Sequence, residues 1–74
     1  MKKTAAELRE GEKGIIEKID FNNPCSKRIV EFGFTPGKEI EMVNESVFRD
    51  PVTFSIRGTL IAIRKNEAKS IILS

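Results

Sequence analysis

The residues of this chain that could do chemistry are few, and nearly all are carboxylates. Asp and Glu together number 11, cysteine occurs once, and histidine, tyrosine and tryptophan are absent. Glu39, Glu41 and Glu45 recur at even spacing, so a strand there puts them on one face, with Asp20 and Asp50 as further carboxylates. Ferrous iron in an adaptable site calls for imidazole and carboxylate, and structural zinc calls for thiolate or imidazole. Without imidazole, Glu39 and Glu41 are weak ligand candidates, and they also read as the solvated face of a half-buried strand. No cofactor is expected beyond weak binding of Fe2+ or Zn2+ at surface carboxylates. Cys25 has two readings, a reactive thiol at the start of a helix or a small apolar residue on the helix's inner face. A single thiol excludes an internal disulfide and fits a reducing compartment.

Catalysis fails on inventory. General-base work near neutral pH usually falls to histidine, and none exists. No glycine-rich phosphate loop followed by lysine and serine occurs, so the chain is not expected to hydrolyse GTP or to be an enzyme of any kind. Nucleic acid is the next class. Thirteen basic residues against 11 acidic ones leave +2, spread along the chain as a mixed-charge surface. Phe21, Phe32 and Phe54 fall at core-facing positions of the elements below, which leaves little to stack bases. A nucleic-acid-binding small barrel is therefore an alternative, not the leading expectation. Proline-rich peptides also need an aromatic groove, which this composition does not supply.

Protein contact remains. Val47 and Phe48 are consecutive apolar residues where polar turn residues are expected, and Arg49 follows them. Phe48 is either the anchor of a partner surface or a satellite of the core beneath its loop. Arg28 and Phe34, flanking the end of the predicted helix, complete the candidate partner-binding set.

The 74 residues must position these groups as one domain, spanning 1–74, since a second core cannot be built from what the first leaves over. Thr4 followed by Glu7 is a capping-box pattern, with Leu8 the anchor of a short first turn. Ile15, Ile19 and Phe21 alternate in a first strand over 15–21, while Ile16 falls out of phase, so the strand is bulged or irregular. Asn23 and Pro24 start a helix whose inner face is Cys25, Ile29 and Phe32. Gly33 supplies its left-handed end, with Phe34 folding back on Ile29. Thr35-Pro36-Gly37-Lys38 reads as a type II turn. Strands follow at 38–45, with Ile40 and Met42 inward, and at 52–57, with Val52, Phe54 and Ile56 inward. Gly58-Thr59 turns the chain into a strand over 60–64. Asn66 caps a single helical turn, and Ile71–Leu73 closes the fold. About five short strands and one inserted helix predict a mostly β, SH3-like, partly open barrel, with an OB-fold as its nearest rival.

The longest apolar runs, Leu60–Ile63 and Ile71–Leu73, fall far short of the roughly 20 residues of a membrane span. Lys2 and Lys3 precede Thr4-Ala5-Ala6-Glu7 instead of a signal peptide's apolar stretch. A cytoplasmic location without membrane insertion is expected.

Taken in order, certain segments resemble the ferrous iron transport protein A (FeoA) family over essentially the whole chain. They are Glu7-Leu8, Gly11-Glu12, Phe32-Gly33-Phe34-Thr35-Pro36-Gly37, Asp50-Pro51, Arg57-Gly58, Ala62-Ile63-Arg64, Glu67-Ala68 and Ile71. Arg49 departs from the pattern, since the family commonly has glycine before its Asp-Pro pair. The resemblance implies an SH3-like barrel and a role beside a membrane ferrous iron transporter that hydrolyses GTP on its cytosolic domain. That cytosolic domain is the implied partner. Domains of this type also end metal-dependent transcriptional repressors, so a metal-sensing domain of the iron-dependent repressor type is the second alternative the resemblance brings.

Overall fold

A computed structural model of the chain describes residues 3–45 and 50–74. Five antiparallel strands, β1 (Lys13–Ile19), β2 (Glu39–Glu45), β3 (Val52–Ile56), β4 (Thr59–Ile63) and β5 (Ile71–Leu73), form one curled sheet in the order β4-β3-β2-β1-β5. Helix α1 (Ser26–Glu31) lies between β1 and β2, α2 (Lys65–Ala68) precedes β5, and a 3-10 turn (Ala5–Glu7) opens the chain. This is the expected SH3-like, partly open barrel: β4 and β5 end the sheet without pairing to each other.

The inner face follows the strict alternation of β3. Val52, Phe54 and Ile56 are buried, and the register sets Phe54 beside Met42 of β2 and Ile61 of β4. The Phe34 and Phe54 rings meet edge to face with centroids 6.1 Å apart, at the packing centre of the domain. In the opening turn, the Glu7 carboxylate accepts the Thr4 backbone N–H at 2.6 Å, and Leu8 is buried as expected.

Two turns form as the residue types require. Gly33 has φ +104° beyond α1, where its N–H donates to the Val30 carbonyl and the Phe34 N–H donates to the Ile29 carbonyl. These two bonds are a Schellman cap, and they drive Phe34 back into the core beside Ile29. Gly37 (φ +91°) completes the type II turn that starts β2. Valine at position 33 should cost about 1–3 kcal/mol, more than alanine there, because a β-branched side chain is worst placed at positive φ. Urea unfolding of both variants checks this, and a loss below about 0.5 kcal/mol for Gly33→Val would contradict the cap.

Several expectations need correction. The register of β1 against β5 shifts between Ile16 and Lys18, and this bulge exchanges the faces. Ile16 is therefore buried and Ile15 faces outward, while Ile19 is buried as expected and Phe21 lies beyond the strand at 71% exposure. The strand spans Lys13–Ile19, not 15–21. Residues 21–25 form turns, with the Asn23 side-chain oxygen accepting the Cys25 N–H at 2.8 Å, and the helix proper begins at Ser26. Its buried residues are Ser26 and Ile29, while Cys25 is half-buried and Phe32 is partly exposed. In α2 the capping position is Arg64, whose N–H donates to Glu67, so Asn66 lies within the helix.

Candidate docking surface

Glu67 organises the surface beside α1. Its side chain is almost wholly buried, with Oε1 accepting the Arg64 N–H at 2.9 Å and Oε2 facing the Arg28 guanidinium at 3.3 Å. The Arg28 guanidinium carbon also stands 5.2 Å from the centroid of the Phe32 ring. An arginine held by a carboxylate at one end and an aromatic face below is restricted in its rotamers, and Arg28 still leaves 64% of its side chain in water. Its remaining N–H donors suit a carboxylate of another molecule. The Asn23 side-chain amide donates to the Asn66 carbonyl at 3.1 Å, a second tie between the turn before α1 and α2.

Of the expected partner-binding residues, Arg28 is on the surface. Phe34 is not: it is fully buried, because the Schellman cap that was expected to fold it onto Ile29 carries it into the core. Val47, Phe48 and Arg49 lie outside the described residues. The neighbours of Arg28 are the Phe32 ring and the buried Glu67 carboxylate. The i, i+4 spacing of Arg28 and Phe32 could have pointed to the first pair, and the N-cap-to-N3 spacing of Arg64 and Glu67 to the cap.

The metal candidates sit on the outer face of the sheet. Register sets Glu41 between Lys13 of β1 and Ser55 of β3, and Glu39 beside Ile15. A lysine is thus the cross-strand neighbour of one candidate carboxylate and an isoleucine of the other. Among the described residues no group of three or more His, Cys, Asp or Glu converges as metal ligands would. No helix among the described residues is long and apolar enough to cross a membrane.

The model of the FeoA domain matches residues 3–74. The chain belongs to the FeoA family. It is 33% identical over 66 residues to a Porphyromonas gingivalis protein described as a Fe(2+) transport protein A/Fe(2+) transporter FeoB fusion. That match takes in 89% of this chain but only 8% of the much longer fusion protein. A putative Fe(2+) transport protein A of Campylobacter jejuni is 26% identical over 92% of both chains. Among solved structures, the FeoA-like protein of Clostridium acetobutylicum superposes with a TM-score of 0.91 at 25% identity, covering 99% of this chain and 85% of its own. FeoA of Stenotrophomonas maltophilia, solved with zinc and described as an SH3 domain protein, gives 0.84 at 28% identity, covering 97% and 89%. A manganese-dependent transcriptional repressor shares the fold at 14% identity, with this chain spanning 40% of it. The FeoA family is thus associated with Fe(2+) transport, and in one relative its domain and the transporter are a single polypeptide.

Proposed function

We propose that this chain is a non-catalytic accessory domain of ferrous iron uptake that docks, in the cytoplasm, on the cytosolic portion of a membrane Fe(II) transporter. The fusion relative carries this reading. Two modules joined in one polypeptide meet at an effective concentration of about 1 mM for a short flexible linker. Selection for contact in such an arrangement requires only modest intrinsic affinity. In this chain the same contact would use Arg28 above Phe32, supplying charged hydrogen bonds and apolar area. The absence of histidine and of a phosphate loop supports leaving nucleotide hydrolysis to the transporter. Iron is cargo in this reading. Glu39 and Glu41 would hold Fe2+ or Zn2+ only weakly, with Lys13 competing for one of them.

Titration of this protein into the isolated cytosolic portion of the transporter, followed by calorimetry and by GTP turnover, tests the proposal. Saturable binding with Kd below about 1 mM and an altered turnover rate are expected. Arg28→Ala should weaken binding by about 1–2 kcal/mol, as an interface arginine does. Absence of binding at about 1 mM, or GTP turnover by this chain alone, would overturn the reading.

A further inference from the structure

The two ends of the sheet are treated differently. On β5, the Leu73 N–H donates to the Lys3 carbonyl at 2.7 Å and Ile72 bridges Thr4, so the N-terminal segment covers that edge. Among the described residues, no strand lies beside the outer side of β4. Arg57 (φ +51°) and Gly58 (φ +84°) form a two-residue hairpin turn closed by the Ile56–Thr59 pair. In such a turn the closing pair is hydrogen-bonded, so Thr59, Ile61 and Ile63 direct their backbone groups to β3. Leu60 and Ala62 therefore present their N–H and C=O groups outward. Their side chains lie on the outer face of the sheet, beside Ser55 and Thr53, and Leu60 is 66% exposed.

Natural edge strands are usually blunted by a charge, a proline or a bulge. Thr59–Ile63 has a regular register against β3 and carries none of these. Positive charge stands only at its two ends, with Arg57 at the turn and Arg64 and Lys65 beyond Ile63. At that end the Asp50 side chain accepts the Lys65 backbone N–H at 2.8 Å and the Glu67 side chain accepts that of Arg64 at 2.9 Å.

We propose that β4 is a strand-addition site for an extended peptide with a β-branched, apolar centre and acidic residues at both ends. The centre would pair with the backbone of Leu60 and Ala62 and lay side chains beside theirs, while its flanking carboxylates meet Arg57 at one end and Arg64 and Lys65 at the other. Charge selects this occupant over a second copy of the chain. Antiparallel self-pairing about Ile61 would bring Arg57 of each copy to the Arg64–Lys65 end of the other, like charge against like. The proposal rests on the β4 edge and does not depend on the transporter reading.

The probes are two short synthetic peptides with the same alternating valine–threonine centre, one flanked by glutamates and one by lysines. Amide exchange and NMR shifts of the full chain are followed at low salt. The glutamate-flanked peptide should slow exchange of the Leu60 and Ala62 amides and bind about tenfold tighter than the lysine-flanked one. Leu60→Lys should abolish this while retaining the fold, because an edge charge is tolerated in the free sheet. Ala62→Pro removes an outward N–H without touching the ladder and should do the same. Binding of neither peptide, or of both equally, would overturn the proposal. So would concentration-dependent protection of these amides without peptide, which would assign the edge to a second copy.

Discussion

Phe34→Ala is expected to cost about 3–5 kcal/mol of folding stability. The ring is fully buried, meets Phe54 edge to face, and is delivered to that position by the Gly33 cap. A chain of this size has only roughly 4–11 kcal/mol of total stability, so the variant loses a large fraction of it. Urea unfolding read by far-UV circular dichroism measures the change. Phe34→Leu, which fills most of the volume, should lose under about 1.5 kcal/mol. Combining Phe34→Ala with Phe54→Ala should cost less than the sum, by about 0.5–1.5 kcal/mol for the ring contact. An unchanged midpoint for Phe34→Ala, with partner binding lost instead, would mean that the residue belongs to the surface.

Ile56→Ala should cost about 2–5 kcal/mol through the cavity it leaves. Ile56 is 5% exposed at the end of β3, between Ile40 of β2 and Thr59 of β4 in register. Its sequence neighbour Ser55 points to the other face, so Ser55→Ala should change stability by no more than about 0.5 kcal/mol. The contrast between adjacent positions is the measurement that matters, because period two is what defines a half-buried strand. Equal effects at 55 and 56 would refute the register.

Where one local rule acted without competition, the sequence was a sufficient guide. The alternation of Val52, Phe54 and Ile56 survives because β3 is an interior strand with a wet outer face. The Gly33 and Gly37 turns survive because few other residues adopt those dihedrals. Failures came where tertiary pairing overrode the pattern. The bulge expected in β1 is present at Ile16/Lys18, but it buries Ile16 in place of Ile15 while Ile19 stays inward, and periodicity offers no sign of which side of a bulge is buried. Phe21 and Phe32 were counted as core from strand alternation and helical spacing, yet the first lies past the end of its strand and the second serves as a platform for Arg28. The Arg28–Glu67 pair joins two helices far apart in the chain, and no local spacing encodes such a contact. Arg57 at positive φ was equally invisible, because the hairpin closure imposes it on a residue that does not favour it. The outward backbone of Leu60 and Ala62 follows only from knowing where that turn closes.

Pairing of β1 with both β2 and β5 has a consequence for synthesis on the ribosome. The strand emerges early, but its second partner, Ile71–Leu73, is made only after β2, β3, β4 and α2. Until then one side of β1 has unpaired backbone, and the Lys3–Thr4 segment has no β5 to cover. Gly14 is also left without Leu73, whose Cδ1 in the finished domain lies where a Cβ on Gly14 would come within 2.8 Å. Contacts this distant in sequence form late, so a nascent or prematurely terminated chain presents Ile16 and Ile19 beside an open strand edge. Such a product is a substrate for chaperones and proteases, and the docking of β5 on β1 is the event that removes it from their reach.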